Sequence, residues 1–193
     1  MRPIPKTLAL TTLTFILGVI FSDKVPLVRD VPAIRKIAST RSVAKSVEAH
    51  FSPKGGCTEK IVEELGRAKK TILVQAYSFT SAPIAEALVA AYRRGVSVQV
   101  LLDKSQRSEK YSSADFVAHA RIPTYIDAKH AIAHNKIMII DNEVIITGSF
   151  NFTKAAEASN AENLLVIHDT ALAACYTDNW KLHKEHSEAY AGR

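Results

Sequence analysis

Four polar residues stand near the two ends of one apolar segment, HNKIMIIDNEVIITGSFN: His134, Lys136, Ser149 and Asn151. Lysine brings a full positive charge with up to three hydrogen-bond donors, and serine and asparagine bring further donors. Histidine exchanges protons near neutral pH and can act as a nucleophile. The combination predicts a phosphate-binding site with a histidine directed into it. No carboxylate pair or cysteine cluster accompanies these residues, so we predict phosphodiester chemistry that uses no metal and no other cofactor.

The apolar segment is predicted to fold as a β-hairpin. A two-residue turn at Asp141 and Asn142 is favoured, because both residue types tolerate the left-handed backbone that tight turns need. With that turn, Lys136 faces Thr147 and His134 faces Ser149, and partners across two strands share a face. The shared face then carries, at one end of the hairpin, His134, Lys136, Thr147, Ser149 and Asn151. A three-residue loop would change these pairs.

Asp141 is predicted to lie apart from the His134 and Lys136 cluster. It falls on the opposite face, and it lies about 16 Å along the strand from Lys136 at roughly 3.3 Å per residue. We therefore interpret Asp141 as a turn residue, or as one that supports the fold.

Helical and strand patterns alternate through the rest of the chain. Helical patterns cover residues 58–70, 81–94, 114–121 and 170–189, with a turn or helix after residue 153. Strand patterns cover residues 71–79, 96–103, 122–127 and 162–169, and residues 50–56 form a turn-rich segment. This alternation, with a hairpin included, predicts an α/β class fold, an α/β/α sandwich around a central mixed β-sheet. We see no internal repeat.

The N-terminus has the pattern of an export segment. Arg2 and Lys6 precede an uncharged apolar run from Thr7 to Ser22, which is typical of a secretory signal. No Ala-x-Ala-like cleavage site follows, and the run is slightly short for a spanning helix of roughly 17–25 residues. We predict a signal peptide or membrane anchor at 1–22, a basic tether at 23–46 and a catalytic domain at 47–190.

The composition favours a polyanionic partner. The 193 residues carry a formal charge of +6, with a pI near 9.3, which fits nucleic acid or an anionic lipid surface, although solubility alone would also explain it.

The two cysteines, Cys57 and Cys175, have no zinc-type spacing, and either one disulfide or two buried thiols would fit. His183 and His186 are spaced i, i+3, which predicts no metal site without a third ligand.

The pattern His134-x-Lys136-x4-Asp141-x6-Gly148-Ser149, followed by Asn151, resembles the HKD signature of the phospholipase D superfamily. Residues 74–103 and 148–167 are similar to the small bacterial Nuc-type endonucleases of that superfamily. The resemblance covers about residues 47–185. It implies a bacterial protein, and with the export segment it implies a periplasmic or membrane-anchored location.

The resemblance implies a two-step hydrolysis in which one histidine forms a phosphohistidine and a second histidine protonates the leaving oxygen. The family site uses two HKD motifs and this chain has one, so the resemblance implies a symmetric homodimer with one shared site. The residues that correspond to the family's functional positions are His134, Lys136, Asp141, Ser149, Asn151 and Glu162. Lys136 and Asn151 would bind phosphate, Glu162 would orient the histidine, and Asp141 would have a supporting role.

Three functions remain open at this point. The first is a metal-independent, weakly sequence-specific endonuclease acting on DNA or RNA, with candidate backbone contacts at Arg93, Arg94, Lys104, Arg107, Lys110 and Lys154. The second is a phospholipase D acting on a membrane diester such as cardiolipin, held at the bilayer by the N-terminal segment. The third is a nucleic-acid-binding module without activity, against which the intact signature argues.

Overall fold

The computed structural model describes residues 43–193. The predicted signal peptide or anchor at 1–22, and the predicted tether as far as residue 42, lie outside the described residues, and the three predicted boundaries stay predictions. Among the helices of residues 43–193, none has the length and apolar character needed to cross a membrane.

The described residues form one mixed sheet of eight strands with five helices. The strands are β1 (Ser46–Ser52), β2 (Thr71–Ala76), β3 (Ser97–Asp103), β4 (Thr124–Asp127), β5 (Lys136–Ile140), β6 (Val144–Gly148), β7 (Glu162–His168) and β8 (Glu188–Tyr190). The helices are α1 (Cys57–Arg67), α2 (Ala82–Arg93), α3 (Ala114–His119), α4 (Lys154–Ala158) and α5 (Thr170–Glu185). The strand order is β1-β7-β6-β5-β2-β3-β4-β8. Only the β2–β3 and β3–β4 pairs are parallel among these strands.

Helices cover both faces of this sheet. On one face, Ile61 of α1 and Leu88 of α2 belong to a large apolar core with Val74 and Met138. On the other face, Trp180 of α5 packs in a second cluster that includes Ile137, Ile139 and Ile145 of the hairpin. The indole N–H of Trp180 also donates a hydrogen bond of 2.9 Å to the carbonyl of Val74. The predicted α/β/α sandwich with a central mixed sheet is therefore confirmed.

Two edge strands were not predicted. Residues 50–52, expected in a turn-rich segment, belong to β1, which pairs antiparallel with β7. Residues 188 and 189, expected in the last helix, belong to β8, which pairs with β4, because α5 already ends at Glu185. Both strands are largely exposed. β8 has only three residues and shows no strand pattern, whereas the alternation of Val47, Ala49 and Phe51 with polar residues in β1 is a signal that sequence reasoning missed. Their pairing partners, far away in the chain, determine their conformation.

The predicted register of the hairpin was wrong. Ile140 pairs with Val144 rather than with Glu143, so the loop has three residues instead of two. Asp141 and Asn142 do adopt the expected left-handed backbone. Glu143 is the third residue of the loop, and its N–H donates to the carbonyl of Ile140 at 2.9 Å.

The corrected register changes which side chains share a face. Met138 pairs with Ile146, and both side chains lie in the core beneath α1 and α2. Lys136 has the same parity as Met138, whereas Thr147 has the parity of Ile145, which packs beneath α5. Thr147 therefore does not share a face with Lys136, contrary to the prediction.

Candidate active site

The polar end of the hairpin lies at the edge of the sheet where β2, β3 and β4 end. Lys136, the first residue of β5, pairs with Ala76, the last residue of β2. His134 precedes β5 and is exposed to solvent. Gly148 ends β6 at the same edge, so Ser149 and the loop that carries Asn151 also begin there. The fold thus brings His134, Lys136, Ser149 and Asn151 to one edge. The predicted pairing of His134 with Ser149 was wrong, because the observed register shifts Ser149 by one position.

Tyr77 lies against the two principal residues of this edge. The centroid of its ring is 4.6 Å from that of His134, with the two planes tilted by 52°. The ammonium of Lys136 lies 5.1 Å from the centroid of the same ring, within the range of a cation–π contact. The Tyr77 N–H donates to the carbonyl of Asn135 at 2.9 Å. Sequence reasoning missed this residue, although its position directly after a buried strand is a signal for a site at that edge.

Lys136 presents a largely enclosed positive charge. The residue is only 7% exposed, and its ammonium donates to the carbonyl of His134 at 2.8 Å. Burial lowers the pKa of Lys136, while the negative charge of Glu162 acts in the opposite direction. An ammonium with few partners in a poorly solvated position is well suited to attract an anionic group of a substrate.

Ser149 and Glu162 form a hydrogen-bonded pair beside Lys136. The Ser149 hydroxyl donates to Oε2 of Glu162 at 2.6 Å. The backbone N–H and the side-chain amide of Asn163 both donate to the Ser149 hydroxyl, at 3.1 and 3.2 Å. Asn160 donates to the other oxygen of Glu162 at 3.2 Å. Within residues 43–193, Glu162 makes no hydrogen bond to His134, so its predicted orienting contact is not formed in this arrangement.

Asn151 lies in the loop between β6 and α4. The next residue, Phe152, forms a β-bridge with Phe79, which places Asn151 beside the chain segment that contains Tyr77. Among the described residues, its side-chain oxygen Oδ1 is enclosed and has no hydrogen-bond partner. A buried polar atom without a partner costs free energy, which a ligand bound beside Asn151 would reduce.

Gly148 allows β6 and β7 to approach closely next to Ser149. Its φ is +145°, in the region that favours glycine. A Cβ atom at this position would lie 2.3 Å from the carbonyl oxygen of Asn163. The Gly-Ser step of the signature is therefore required by the backbone geometry that holds Ser149 against β7.

Asp141 lies at the opposite edge of the sheet, as predicted. Its carboxylate accepts hydrogen bonds from the backbone N–H groups of Lys69, Lys70 and Thr71, at 2.9, 2.7 and 2.8 Å. Burial by itself would raise the pKa of Asp141, but these three hydrogen bonds outweigh it and lower the pKa. The carboxylate joins the hairpin loop to the segment that leads into β2, so its place in the fold is structural.

A cavity of about 380 Å³ opens beside the polar edge. It lies between β5, β6 and α5, and its lining residues are His134, Asn135, Lys136, Ile137, Thr147, Gly148, Leu172, Cys175, Tyr176 and Asn179.

Cys175 and the other cysteine, Cys57, are both buried and are not joined by a disulfide. Of the two alternatives open from the sequence, the structure has two thiols.

The predicted basic contacts divide between the two edges of the sheet. Lys104, Arg107 and Lys110 follow β3, and Lys154 begins α4 after β6, so these four lie towards the edge of His134. The two arginines at the end of α2 lie at the other edge, because α2 runs back from the end of β2 to the start of the parallel β3. Arg94 also donates to the carbonyl of Leu65 at 2.9 Å. Arg93 and Arg94 therefore lie away from His134, and their contact with nucleic acid stays a prediction.

Known proteins resemble this chain over most of its length. A family model described as "Cardiolipin synthase, PLD-like domain" matches residues 61–182. A protein named "Phospholipase D" from Rickettsia felis is 42% identical over 149 residues, covering 77% of this chain and 74% of that protein. A protein named "Mitochondrial cardiolipin hydrolase" from Chlamydomonas reinhardtii is 30% identical over 117 residues, covering 61% of this chain and 52% of that protein.

A solved structure shows the same fold. The crystal structure of Nuc from Salmonella typhimurium, described as a phospholipase D family member, matches with a TM-score of 0.73 and 37% identity, covering 75% of this chain and 97% of Nuc. The chain therefore belongs to the phospholipase D superfamily, and the resemblance found in its HKD signature is confirmed. It is a phosphodiester hydrolase of that superfamily.

Proposed function

We propose that this phosphodiesterase hydrolyses nucleic acid as a metal-independent, weakly sequence-specific endonuclease. The observation that carries the proposal is the complete but single HKD signature, folded so that an exposed His134 stands beside the enclosed ammonium of Lys136. The match to 97% of the Nuc chain supports the nucleic-acid substrate.

In the first step, the imidazole of His134 attacks the phosphorus of a phosphodiester. A nitrogen–phosphorus bond forms while one phosphorus–oxygen bond breaks, and the product of this step is a phosphohistidine. The charge that develops on the phosphoryl oxygens falls beside the Lys136 ammonium, which is already positioned by the carbonyl of His134. The amide of Asn151 supplies further hydrogen bonding at the same edge of the sheet.

The departing oxygen takes a proton from a second imidazole. One chain contains a single motif, so we propose that this second imidazole is the partner subunit's His134, brought across the two-fold axis of a homodimer. In the second step, the now neutral partner imidazole removes a proton from water. The resulting hydroxide attacks phosphorus, the nitrogen–phosphorus bond breaks, and His134 is restored.

Ser149 and Glu162 act on the site indirectly in this scheme. Their hydrogen bond joins the end of β6 to the start of β7, and the Glu162 charge favours the charged form of Lys136. Asp141 holds the other end of the hairpin through three backbone N–H groups. No step needs a metal ion, because the lysine charge and the two imidazoles perform the work of charge stabilisation and proton transfer.

The positive charge near His134 is suited to bind the backbone phosphates of a nucleic acid. The chain has a net charge of +6, and Lys104, Lys110 and Lys154 lie towards the edge that carries His134. Contacts of this type bind any sequence and weaken as salt is added. We propose that the enzyme acts outside the cytoplasm, either in the periplasm or anchored to the membrane, because Arg2, Lys6 and the apolar run form an export pattern.

The experiment that tests this function uses the full-length chain in excess EDTA with plasmid DNA, single-stranded DNA and RNA as separate substrates. We expect degradation by the wild type that persists in EDTA and falls by at least about 10³-fold in His134→Ala. The control is His119→Ala, which removes an exposed histidine at the end of α3. Degradation that survives in His134→Ala, or that disappears in EDTA from a wild type that stays folded, would contradict the mechanism.

The second candidate is a phospholipase, which the names of the relatives favour. The chemistry would be the same, with a lipid phosphodiester such as cardiolipin in place of nucleic acid. Vesicles containing cardiolipin should then yield phosphatidic acid at a rate that depends on His134. Turnover of vesicles by a wild type that leaves all three nucleic acids intact would replace the nuclease proposal with this one.

A further inference from the structure

Four potential metal-binding side chains meet at the end of β4, away from the HKD residues. Asp127 is the last residue of β4, and His130 follows it in the loop that leads to β5. His183 stands in the last turn of α5, and His186 directly follows that helix. Their nitrogen and oxygen atoms, one from each side chain, all lie within 4.8 Å of one another. The sequence showed only the His183 and His186 pair, since the other two residues lie more than fifty positions earlier.

The carboxylate of Asp127 is the centre of this cluster. Its Oδ2 atom lies 2.9 Å from Nδ1 of His130, 2.9 Å from Nδ1 of His183 and 3.3 Å from Nε2 of His186. Asp127 has no solvent exposure, whereas the side chain of His130 is 43% exposed. Three imidazoles therefore surround one buried carboxylate, and the cluster is open to solvent on the side of His130.

The position of His186 is not explained by hydrogen bonding. Although its Nε2 lies 3.3 Å from Asp127, this atom is enclosed and has no hydrogen-bond partner among the described residues. An enclosed ring nitrogen without a hydrogen bond costs free energy. It points into the same small volume as the other three groups, which is the arrangement that a shared cation would satisfy.

The three distances that involve Asp127 are close to those of a tetrahedral site. Zinc binds histidine nitrogen at about 2.0–2.1 Å and carboxylate oxygen at about 2.0–2.2 Å, so neighbouring ligand atoms stand about 3.4 Å apart. The three separations from Oδ2 of Asp127 are 2.9, 2.9 and 3.3 Å. Shifts of about 1 Å, within the rotamer freedom of these side chains, would bring all four atoms to a common centre.

We propose that Asp127, His130, His183 and His186 bind one transition-metal cation of the Zn²⁺ type. Three imidazoles with one carboxylate are ligands that Zn²⁺ accepts, and four protein ligands leave no coordination position open. Such a closed site is structural rather than catalytic. In the sheet, β3 and β2 separate β4 from β5, so the cation would stand about 14 Å from Lys136 at roughly 4.8 Å per strand.

The cation would fasten the end of α5 to the loop that delivers His134. That loop is also held by hydrogen bonds, since Lys104 donates to the carbonyl of His130 at 3.1 Å and Asp103 accepts the Ala133 N–H at 2.7 Å. The metal would add a further attachment, through His130. The proposal is independent of the substrate of the enzyme, and it assigns no metal to the phosphodiester chemistry.

The test measures metal binding directly, with the full-length chain purified without a histidine tag and stripped by chelator. We expect the wild type to bind one equivalent of Zn²⁺ per chain, and Co²⁺ to give the visible absorption of a four-coordinate site. With free Zn²⁺ at one hundred times the dissociation constant, the melting temperature should rise by about 5–10 °C. The double variant His183→Ala/His186→Ala should lose all three signals.

Two further variants make the result decisive. His130→Ala alters an exposed loop side chain with little risk to folding, and it should weaken Zn²⁺ binding by at least about tenfold. His119→Ala, an exposed histidine outside the cluster, should bind as the wild type does. Absence of Co²⁺ absorption from the wild type would overturn the proposal. Equal Zn²⁺ binding by His130→Ala and His119→Ala would overturn it as well.

Discussion

Replacement of Asp141 by asparagine separates the structural role of the HKD aspartate from a chemical one. The carboxylate accepts three backbone N–H groups, with Lys70 and Thr71 sharing Oδ1 and Lys69 on Oδ2. Asparagine keeps one carbonyl oxygen for the first two donors but presents an amide to the third. It also tolerates the left-handed backbone at this position, where φ is 53°.

The cost of this change follows from the hydrogen bonds. A hydrogen bond to a charged group contributes about 1.5–3 kcal/mol, compared with about 1 kcal/mol for a neutral one. Two bonds become neutral and one is lost, but the site is partly exposed, so water compensates in part. We expect the free energy of unfolding to fall by about 2 kcal/mol, which lowers the melting temperature by about 4–8 °C for a domain of this size.

The pH dependence of stability should change with the same substitution. The pKa of Asp141 is lowered in the folded state, so its contribution is present above the unfolded pKa of about 3.9 and is lost as the pH falls through the folded value. The difference in stability between wild type and Asp141→Asn should therefore be full at pH 7 and should shrink in acid. Urea denaturation at a series of pH values measures it.

Measuring kcat tests whether Asp141 also takes part in the chemistry. At 25 °C and pH 7, the folded Asp141→Asn variant should keep its kcat within about twofold, because residues of the catalytic edge are untouched. Glu143→Gln, which removes an exposed negative charge from the same loop, is the matched control and should alter neither property. An Asp141→Asn variant with the melting temperature of the wild type and a kcat reduced more than a hundredfold would refute the structural interpretation.

Three further predictions concern the other end of the hairpin. When wild-type and His134→Ala subunits are mixed in equal amounts and allowed to exchange, about one quarter of the dimers carry both histidines. If both are needed, the activity should be about one quarter of that of wild type at the same total protein concentration. An activity of about one half would contradict a shared site. Gly148→Ala places a methyl group 2.3 Å from the Asn163 carbonyl and should lower the unfolding free energy by at least about 2 kcal/mol, measured by denaturation; unchanged stability would contradict the close approach. Lys136→Met should reduce kcat by about 10²–10³-fold without lowering the melting temperature, because a buried ammonium is costly; retained activity would remove Lys136 from the mechanism.

The hairpin shows how far the sequence determines the site. Its apolar strands and its polar end are visible in the residue types, and the separation of Asp141 from Lys136 follows from strand length alone. The register follows instead from a three-residue loop, in which the Glu143 N–H donates to the Ile140 carbonyl. Residue types do not distinguish a two-residue turn from a three-residue loop here, and the error of one position moved Thr147 to the other face.

Contacts between distant parts of the chain are the features that the sequence did not predict. β1 and β8 are exposed strands that exist through pairing with β7 and β4. The ring of Tyr77 reaches His134 only because β2 and β5 are neighbours. Similarly, His183 of α5 acquires Asp127 as a partner when that helix packs beneath the sheet.

The most direct test of the mechanism is to trap the covalent intermediate. An oligonucleotide with internal ³²P-labelled phosphodiesters would be incubated with excess full-length enzyme in EDTA and quenched in alkaline denaturant within one turnover. We expect a protein–DNA adduct that resists alkali, is cleaved by acid, maps to the peptide carrying His134, and does not form with His134→Ala. Complete cleavage of the oligonucleotide without such an adduct, or an adduct on another residue, would contradict the proposed mechanism.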